Sequence, residues 1–343
     1  MFNLQSIVRN NIQALLPYSS ARDEFKGTSG VFLDANENPF GTLNRYPDPY
    51  QTDLKSKIAS LKNVRSEQIF IGNGSDEVID LAFRIFCQPR EDKALTFSPT
   101  YGMYDVSAAI NEVSLTKIPL TDSFQIDSDA VLPLLKDSFL KIIFICSPNN
   151  PTGNTLSKNA IETILKNFNG IVIIDEAYID FSPSESWLRK LNDYPNLMVC
   201  QTFSKAWGLA AARVGMAFAS EEIIRLLNKV KPPYNVSELN QKAALEAVSN
   251  TAQFQKNLEQ IKTQKEALQT ALQELKLVVK VYPSEANFLL VEVINATKIY
   301  SDLVTQKIIT RNRNSLVANC IRISVGTPSE NKKLLTALKN IES

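Results

Sequence analysis

The chain of 343 residues contains no histidine. That excludes Ser-His-Asp and Cys-His nucleophilic arrangements and the common zinc sites, all of which use an imidazole. An enzyme built from this chain must carry protons on lysine, tyrosine or a carboxylate. Cysteine is scarce too: Cys87, Cys146, Cys200 and Cys320 are far apart and form no CxxC. Three of them lie in or beside apolar runs, which predicts buried thiols in a cytoplasmic protein rather than disulfides or metal ligands. No apolar run approaches the ~20 residues of a membrane span. The amino terminus, MFNLQSIVRNNIQALLPY, lacks the apolar core of a signal peptide. Neither sign of charge is in excess, with 37 Lys plus Arg against 36 Asp plus Glu. No nucleic-acid or membrane partner is therefore expected. Repeats, low-complexity segments and flexible linkers are also missing.

What is present reads as an α/β protein of two domains. Short apolar runs occur at 68–72 (QIFIG), 93–98 (KALTFS), 141–147 (KIIFICS), 170–176 (GIVIIDE), 197–204 (LMVCQTFS) and 213–219 (RVGMAFA). Amphipathic stretches such as SDEVIDLAFRIFC at 75–87 and SKNAIETILKNF at 157–168 lie between them. Strands apolar throughout, alternating with helices, predict a mostly parallel sheet covered on both faces. Residues 237–276 then keep a helical period through Phe254, Leu258, Ile261, Leu268, Leu272 and Leu275, predicting one or two long helices. The runs VVKVYP, NFLLVEV and CIRISVG that follow read as the strands of a smaller α+β unit. We divide the chain into a large domain at 31–240 and a small one made of 1–30 and 241–343, with the amino terminus packed on the small unit.

Functional groups in such sheets gather at the carboxyl ends of the strands. Five motifs stand there. GNGSDE (72–77) opens a helix, where glycine permits close approach and free amides can hold a phosphate; by itself it is equally a capped turn. SPTYGMY offers an aromatic face in Tyr101. SPNNPTG (147–153) is a turn that aims an amide outward. In DEAY (175–178), Asp175 ends an apolar strand, where a carboxylate needs a partner: a helix cap or a cation. In TFSK (202–205), Lys205 is either a surface lysine or a desolvated amine able to form a Schiff base with an aldehyde.

Taken together the motifs name a cofactor. Pyridoxal 5'-phosphate requires a lysine for its aldehyde, an acid for its ring nitrogen and donors for its phenolate. It also requires an aromatic face and a phosphate cup. Lys205, Asp175, Asn150 with Tyr178, Tyr101, and Gly74, Ser75 and Asp76 with Ser204 and Arg213 supply those parts in turn.

At this point the chain resembles the fold-type I aminotransferases over nearly its whole length, in the order GNGSDE, PTYGMY, PNNPTG, DEAY, SKAWGLAAARVG. The further motifs LPYSSAR, LDANENPFG, RYPDP and CIRISVGT are similar to those of the histidinol-phosphate aminotransferase family. The resemblance implies amino transfer between L-glutamate or 2-oxoglutarate and imidazole-acetol phosphate or L-histidinol phosphate, in histidine biosynthesis. It implies Lys205 as the proton carrier and Asp175 as the partner of the ring nitrogen. It assigns Tyr18, Asn36, Arg311 and Arg322 to substrate, with Arg313 an alternative to Arg311. It also implies a homodimer with shared active sites, in which Tyr46 reaches the cofactor phosphate of the neighbouring subunit. Guanidinium forks suit both partners, since each binds carboxylate or phosphate bidentately. Rival readings within the fold are a threonine-phosphate decarboxylase and an aromatic amino-acid aminotransferase. A DNA-binding regulator lacks room ahead of LDANENP for its second domain, and no GxGxxG supports a dinucleotide enzyme.

Overall fold

The computed structural model describes residues 2–18 and 30–342. Its strands are β1 (Ile69–Gly72), β2 (Lys93–Ser98), β3 (Ser114–Pro119), β4 (Leu140–Cys146), β5 (Ile171–Asp175), β6 (Leu197–Thr202), β7 (Gly215–Phe218), β8 (Val278–Val281), β9 (Phe288–Val293), β10 (Arg311–Asn312) and β11 (Cys320–Ser324). The first seven form one sheet in the order β1-β7-β6-β5-β4-β2-β3. Within it β6, β5, β4, β2 and β3 run parallel, and β7 is antiparallel to both its neighbours. The last four strands make a separate antiparallel sheet, β10-β11-β9-β8.

Period two explains why the large sheet is apolar throughout. In β4, Ile142 and Phe144 enter the cluster with Phe70, Phe83 and Tyr104, while Ile143 and Ile145 enter the opposite one with Ile71 and Phe203. Ile171 and Ile173 of β5 split from Val172 and Ile174 in the same way. With both faces covered, neither can be polar. Edge strand β3 was not expected from the sequence. Only Ile118 of its six residues is buried, so it carries a pairing role with little of the apolar signal.

The principal helices are α1 (Asn10–Ala14), α2 (Thr52–Lys62), α3 (Ser75–Phe86), α4 (Met103–Ile110), α5 (Ser128–Val131), α6 (Lys158–Asn167), α7 (Glu221–Val230), α8 (Glu238–Ser249), α9 (Thr251–Gln273), α10 (Ala296–Thr305) and α11 (Pro328–Glu342). The long helical stretch is thus two helices, broken at Asn250. That residue leaves helical geometry (φ −112°, ψ 60°) and its side chain caps α9 by accepting from the Gln253 amide. Among the described residues, no helix is long and apolar enough to cross a membrane.

The amino terminus packs differently from the expectation. Leu4, Ile7, Val8 and Ile12 join the cluster of Phe83 and Phe86 on the large sheet, not the small unit. Arg9 fixes the contact, its amide donating to Ile85 O (3.0 Å) and its Nη1 to Arg84 O (2.9 Å). Those four apolar residues fit any apolar face, and only the tertiary fold chose one.

The two sheets meet at a small cluster of Tyr178, Phe181, Leu258, Ala286 and Phe288. Beside it Glu285, in the turn between β8 and β9, accepts hydrogen bonds from Thr155 Oγ1 (2.8 Å), Ser184 Oγ (3.1 Å) and Ser182 Oγ. Its amide donates to Gly153 O (2.7 Å). Lys265 of α9 supports the turn from the other side, donating to Ser284 O (2.7 Å) and Ala286 O (3.1 Å).

Candidate active site

Parallel β4, β5 and β6 end at one edge, and their register sets Asp175 between Cys146 and Cys200. Asp175 is 4% exposed. Its Oδ2 accepts from Tyr104 Oη (2.8 Å) and its Oδ1 from the Ala177 amide (3.1 Å). Burial pushes this carboxyl above its ordinary range, and the two donors pull it back. Among the described residues it makes no ion pair. A buried carboxylate with only neutral donors leaves its charge uncompensated. A protonated pyridine nitrogen would supply a compensating cation.

Tyr104 escaped the sequence reading. It is fully buried, stacked on Phe144 at 4.7 Å between ring centroids and edge-on to Tyr101 at 5.7 Å. The signal was the second tyrosine of PTYGMY. Its spacing of three residues puts it one turn beyond Tyr101, on the same side of the chain.

Lys205 lies three residues beyond β6. Its side chain is open to the solvent of the cavity, while protein crowds the amine itself. Nζ sits 5.7 Å from the centroid of the Tyr178 ring. Burial, then the positive charge of Arg322, lowers its pKa from the ordinary lysine value, against the pull of Asp175 and Asp76. A lysine so placed exists as the neutral amine, the nucleophilic form, more readily than a surface lysine does.

One end of the cavity is a cup of donors. Gly74 adopts φ +79° and ψ 166°, a backbone conformation that side chains rarely take, so glycine is required. Ser75 starts α3 and presents its free amides. Arg213 Nη2 lies 3.2 Å from Asp76 Oδ2, and Tyr101 Oη donates to Asp76 Oδ1 at 3.1 Å. Ser204 completes the cup. Behind it Asn235 donates to Ile71 O (3.0 Å) and Glu77 Oε2 (2.9 Å), bracing the turn in a way no motif had shown.

The other end belongs to arginines of the small sheet. Arg322 of β11 donates from Nη1 to Asn150 Oδ1 (2.5 Å), and its guanidinium sits 5.1 Å from the Phe288 ring centroid. Arg311 is its cross-strand partner on β10, and Arg313 follows two residues later.

These groups share one cavity of about 400 Å³. Ser75, Asp76, Tyr101, Asn150, Asp175 and Tyr178 line it. So do Ser204, Lys205, Arg213, Arg311 and Arg322, together with Arg313, which the sequence left as an alternative. Gly74 underlies Arg213. Tyr18, Asn36 and Tyr46 do not line it. Tyr18 is 71% exposed. Asn36 is exposed in a left-handed turn (φ 53°), and Tyr46 stacks on Tyr234 at 4.3 Å. Part of LPYSSAR, from Ser19 on, falls outside the described residues. The cavity offers pyridoxal phosphate an amine, a carboxylate, an amide, aromatic rings and a helix start with an arginine, a set that fits the group.

The chain is similar to known proteins over most of its length. The family pattern "Aminotransferase class I and II" matches residues 21–338. A histidinol-phosphate aminotransferase of Cytophaga hutchinsonii is 52% identical, across 98% of this chain and 99% of its own. The crystal structure of the histidinol-phosphate aminotransferase from Clostridium acetobutylicum superposes with a TM-score of 0.80 at 25% identity, covering 88% of this chain and 91% of that one. The Sinorhizobium meliloti enzyme of the same name, in complex with pyridoxal-5'-phosphate, shares the fold at TM-score 0.80 and 22% identity, covering 87% and 83%. Matched over most of its length by pattern, sequence and fold, the chain belongs to the class I and II aminotransferase family.

Proposed function

We propose that the chain is a pyridoxal-phosphate-dependent transaminase, moving an amino group reversibly between L-glutamate and imidazole-acetol phosphate to give 2-oxoglutarate and L-histidinol phosphate. The observation that carries this reading is one cavity holding a lowered-pKa lysine, a buried aspartate with no ion pair among the described residues, Arg213 at one end and three further arginines at the other. The name borne by the 52% identical relative supports the substrate. In this reading residues 31–240 hold the cofactor, and the unit beyond 240 presents Arg311 and Arg322 to the substrate.

Bound pyridoxal phosphate supplies an aldehyde for an amine and a ring able to accept an electron pair. The chain supplies the rest. Ser75, Ser204 and Arg213 would hold its phosphate with the amides of α3. Tyr101 would cover its ring, and Asp175 would keep the ring nitrogen protonated. Asn150, held in orientation by Arg322, and Tyr178 would serve the phenolate oxygen. Lys205 Nζ would accept the proton from the substrate α-carbon and hold it for return, as the proton carrier of the site. Arg311 and Arg322 orient the anionic groups, so that one site can accept a dicarboxylate and a phosphate alternately.

The reading includes a cytoplasmic homodimer in which Tyr46 of one protomer reaches the cofactor phosphate in its partner. It is supported by Tyr46 lying outside the cavity of its own chain, and by Leu16, Val31, Leu33 and Phe40 being 82–88% exposed around the same segment. Tyr46→Phe is expected to weaken cofactor retention in the dimer, measured by dialysis against buffer; retention equal to the parent protein would remove Tyr46 from the cup.

The function is tested by a half-reaction. Protein carrying pyridoxal phosphate is mixed with L-histidinol phosphate, and the cofactor's visible absorption is followed. Rapid loss of the band, much faster than with phenylalanine and with no carbon dioxide from threonine phosphate, is the expected result. A stable band in histidinol phosphate would discard the substrate; faster reaction with phenylalanine, or release of carbon dioxide, would install one of the rivals.

A further inference from the structure

Arg311 and Arg322 stand directly opposite each other across β10 and β11, and Arg313 adds a third guanidinium on the same hairpin. Like charges paired across strands are unfavourable unless something neutralises them. Nothing in the chain does: among the described residues none of the three makes an ion pair. The carboxylates that line the cavity are engaged elsewhere, Asp76 with Arg213 and Tyr101, Asp175 with Tyr104 and the Ala177 amide. Moreover Arg313 Nε and Arg322 Nε are both buried without a hydrogen-bond partner. A buried N–H left unpaired is costly, and a bound anion would satisfy it. The backbone has fixed Arg313 in place, since its amide donates to Cys320 O (2.9 Å) and its carbonyl accepts from Leu316 (2.8 Å) and Val317 (2.9 Å).

We propose that Arg313 is a substrate ligand in its own right, joining Arg311 and Arg322 around a dianionic group, and that it sets the preference for a phosphorylated substrate over a dicarboxylate. This rests on the transaminase reading above. The physical basis is charge product. Removing one guanidinium costs a phosphate dianion about twice what it costs a carboxylate at equal distance. Burial, followed by the charges of Arg322 and Arg311, lowers the Arg313 pKa to about 10, as expected for a cation held in place without its counter-ion.

The test uses protein loaded with pyridoxal phosphate, so that the cofactor's own phosphate cup is filled. Arg313→Gln is expected to raise KM for L-histidinol phosphate about 10- to 100-fold, to raise KM for glutamate much less, and to change kcat little. Independently of turnover, inorganic phosphate should raise the melting temperature of the parent protein and lose that effect in Arg313→Gln. Lys280→Gln removes the same charge outside the cavity and should keep the phosphate effect. Arg313→Lys should fall between, having the charge without the fork. Unchanged KM and an unchanged phosphate effect in Arg313→Gln would overturn the proposal, as would equal losses for both substrates. Should the parent protein ignore histidinol phosphate while Arg313→Gln still loses the inorganic phosphate effect, the substrate reading fails and the anion ligand stands.

Discussion

At the cofactor end of the cavity, Asp175, Lys205 and Ser75 leave from strand ends and a helix start within one seven-stranded sheet. At the substrate end, Arg311, Arg313 and Arg322 stand on a short hairpin of a second sheet, joined to the first through a small apolar cluster and Glu285. Both ends bury polar atoms, yet they satisfy them differently. Asp175 has donors from Tyr104 and Ala177, and Asp76 from Tyr101 and Arg213. Arg313 and Arg322 each keep an unpartnered Nε. A group that must grip one permanent ligand can be fully braced by the protein. In the proposed reading the arginines keep these donors for an anion that is bound and released at each turnover. The junction sits where the two regimes meet, and Glu285 has three hydroxyl donors but, among the described residues, no ion pair.

Substitutions at the two ends should therefore fail differently. The largest effect belongs to Lys205→Ala, which removes both the amine for the aldehyde and the proton carrier. Turnover should fall by at least about 10⁴-fold, with the lysine-linked visible band gone; a near-normal rate would end the assignment. Asp175→Asn keeps the shape and the two donors but offers no charge to the ring nitrogen. Cofactor should remain bound while turnover drops by at least about 10²-fold. Normal turnover would mean another group protonates the ring.

Glu285→Ala acts on the junction rather than on either end. It leaves three hydroxyls without their acceptor, so stability should fall by about 1–3 kcal/mol in denaturant titration. KM should rise several-fold for both substrates, because the arginines lose their fixed distance from Asn150, while the cofactor band stays in place. A change in the band instead would show that the junction also shapes the cofactor end.

The effect furthest from the chemistry concerns pH and stability. Glu176 follows Asp175 but turns away from the cavity, accepting from Ser186 Oγ (2.6 Å), the Trp187 amide (2.7 Å) and Gln201 Nε2 (2.8 Å). Burial outweighs these donors and raises its pKa from 4.5 to about 7. In the unfolded chain the group returns to its ordinary value. The stabilisation is therefore fully present below about 4.5 and is lost as pH rises through about 7, a change of roughly 3 kcal/mol. Glu176→Gln should shrink the fall in melting temperature between pH 5 and pH 8. An unaltered slope would show that Glu176 is ionised throughout that window.

Sequence and structure divide the credit along physical lines. Motifs confined to a few neighbouring residues were legible: the strand runs, the α3 start at Ser75, Asp175 at the end of β5, Lys205 beyond β6 and Arg213 beside β7. Local backbone geometry alone brings each of these to the carboxyl edge of a parallel sheet. Contacts between distant segments were not legible. The Tyr104 hydrogen bond to Asp175 spans 71 residues, the Glu285 bond from Thr155 spans 130 and the Arg322 bond to Asn150 spans 172. The seating of Leu4, Ile7, Val8 and Ile12 on the large sheet belongs to the same class. So does the placing of both Arg311 and Arg313 against one cavity by the hairpin. The sequence by itself determined which chemical groups the chain carries and at which strand end each emerges, because residue identity and local periodicity are written there. Which side chains brace those groups, which donors stay unpaired and how the two sheets face each other were decided by packing, because those energies depend on distances between residues the sequence keeps far apart.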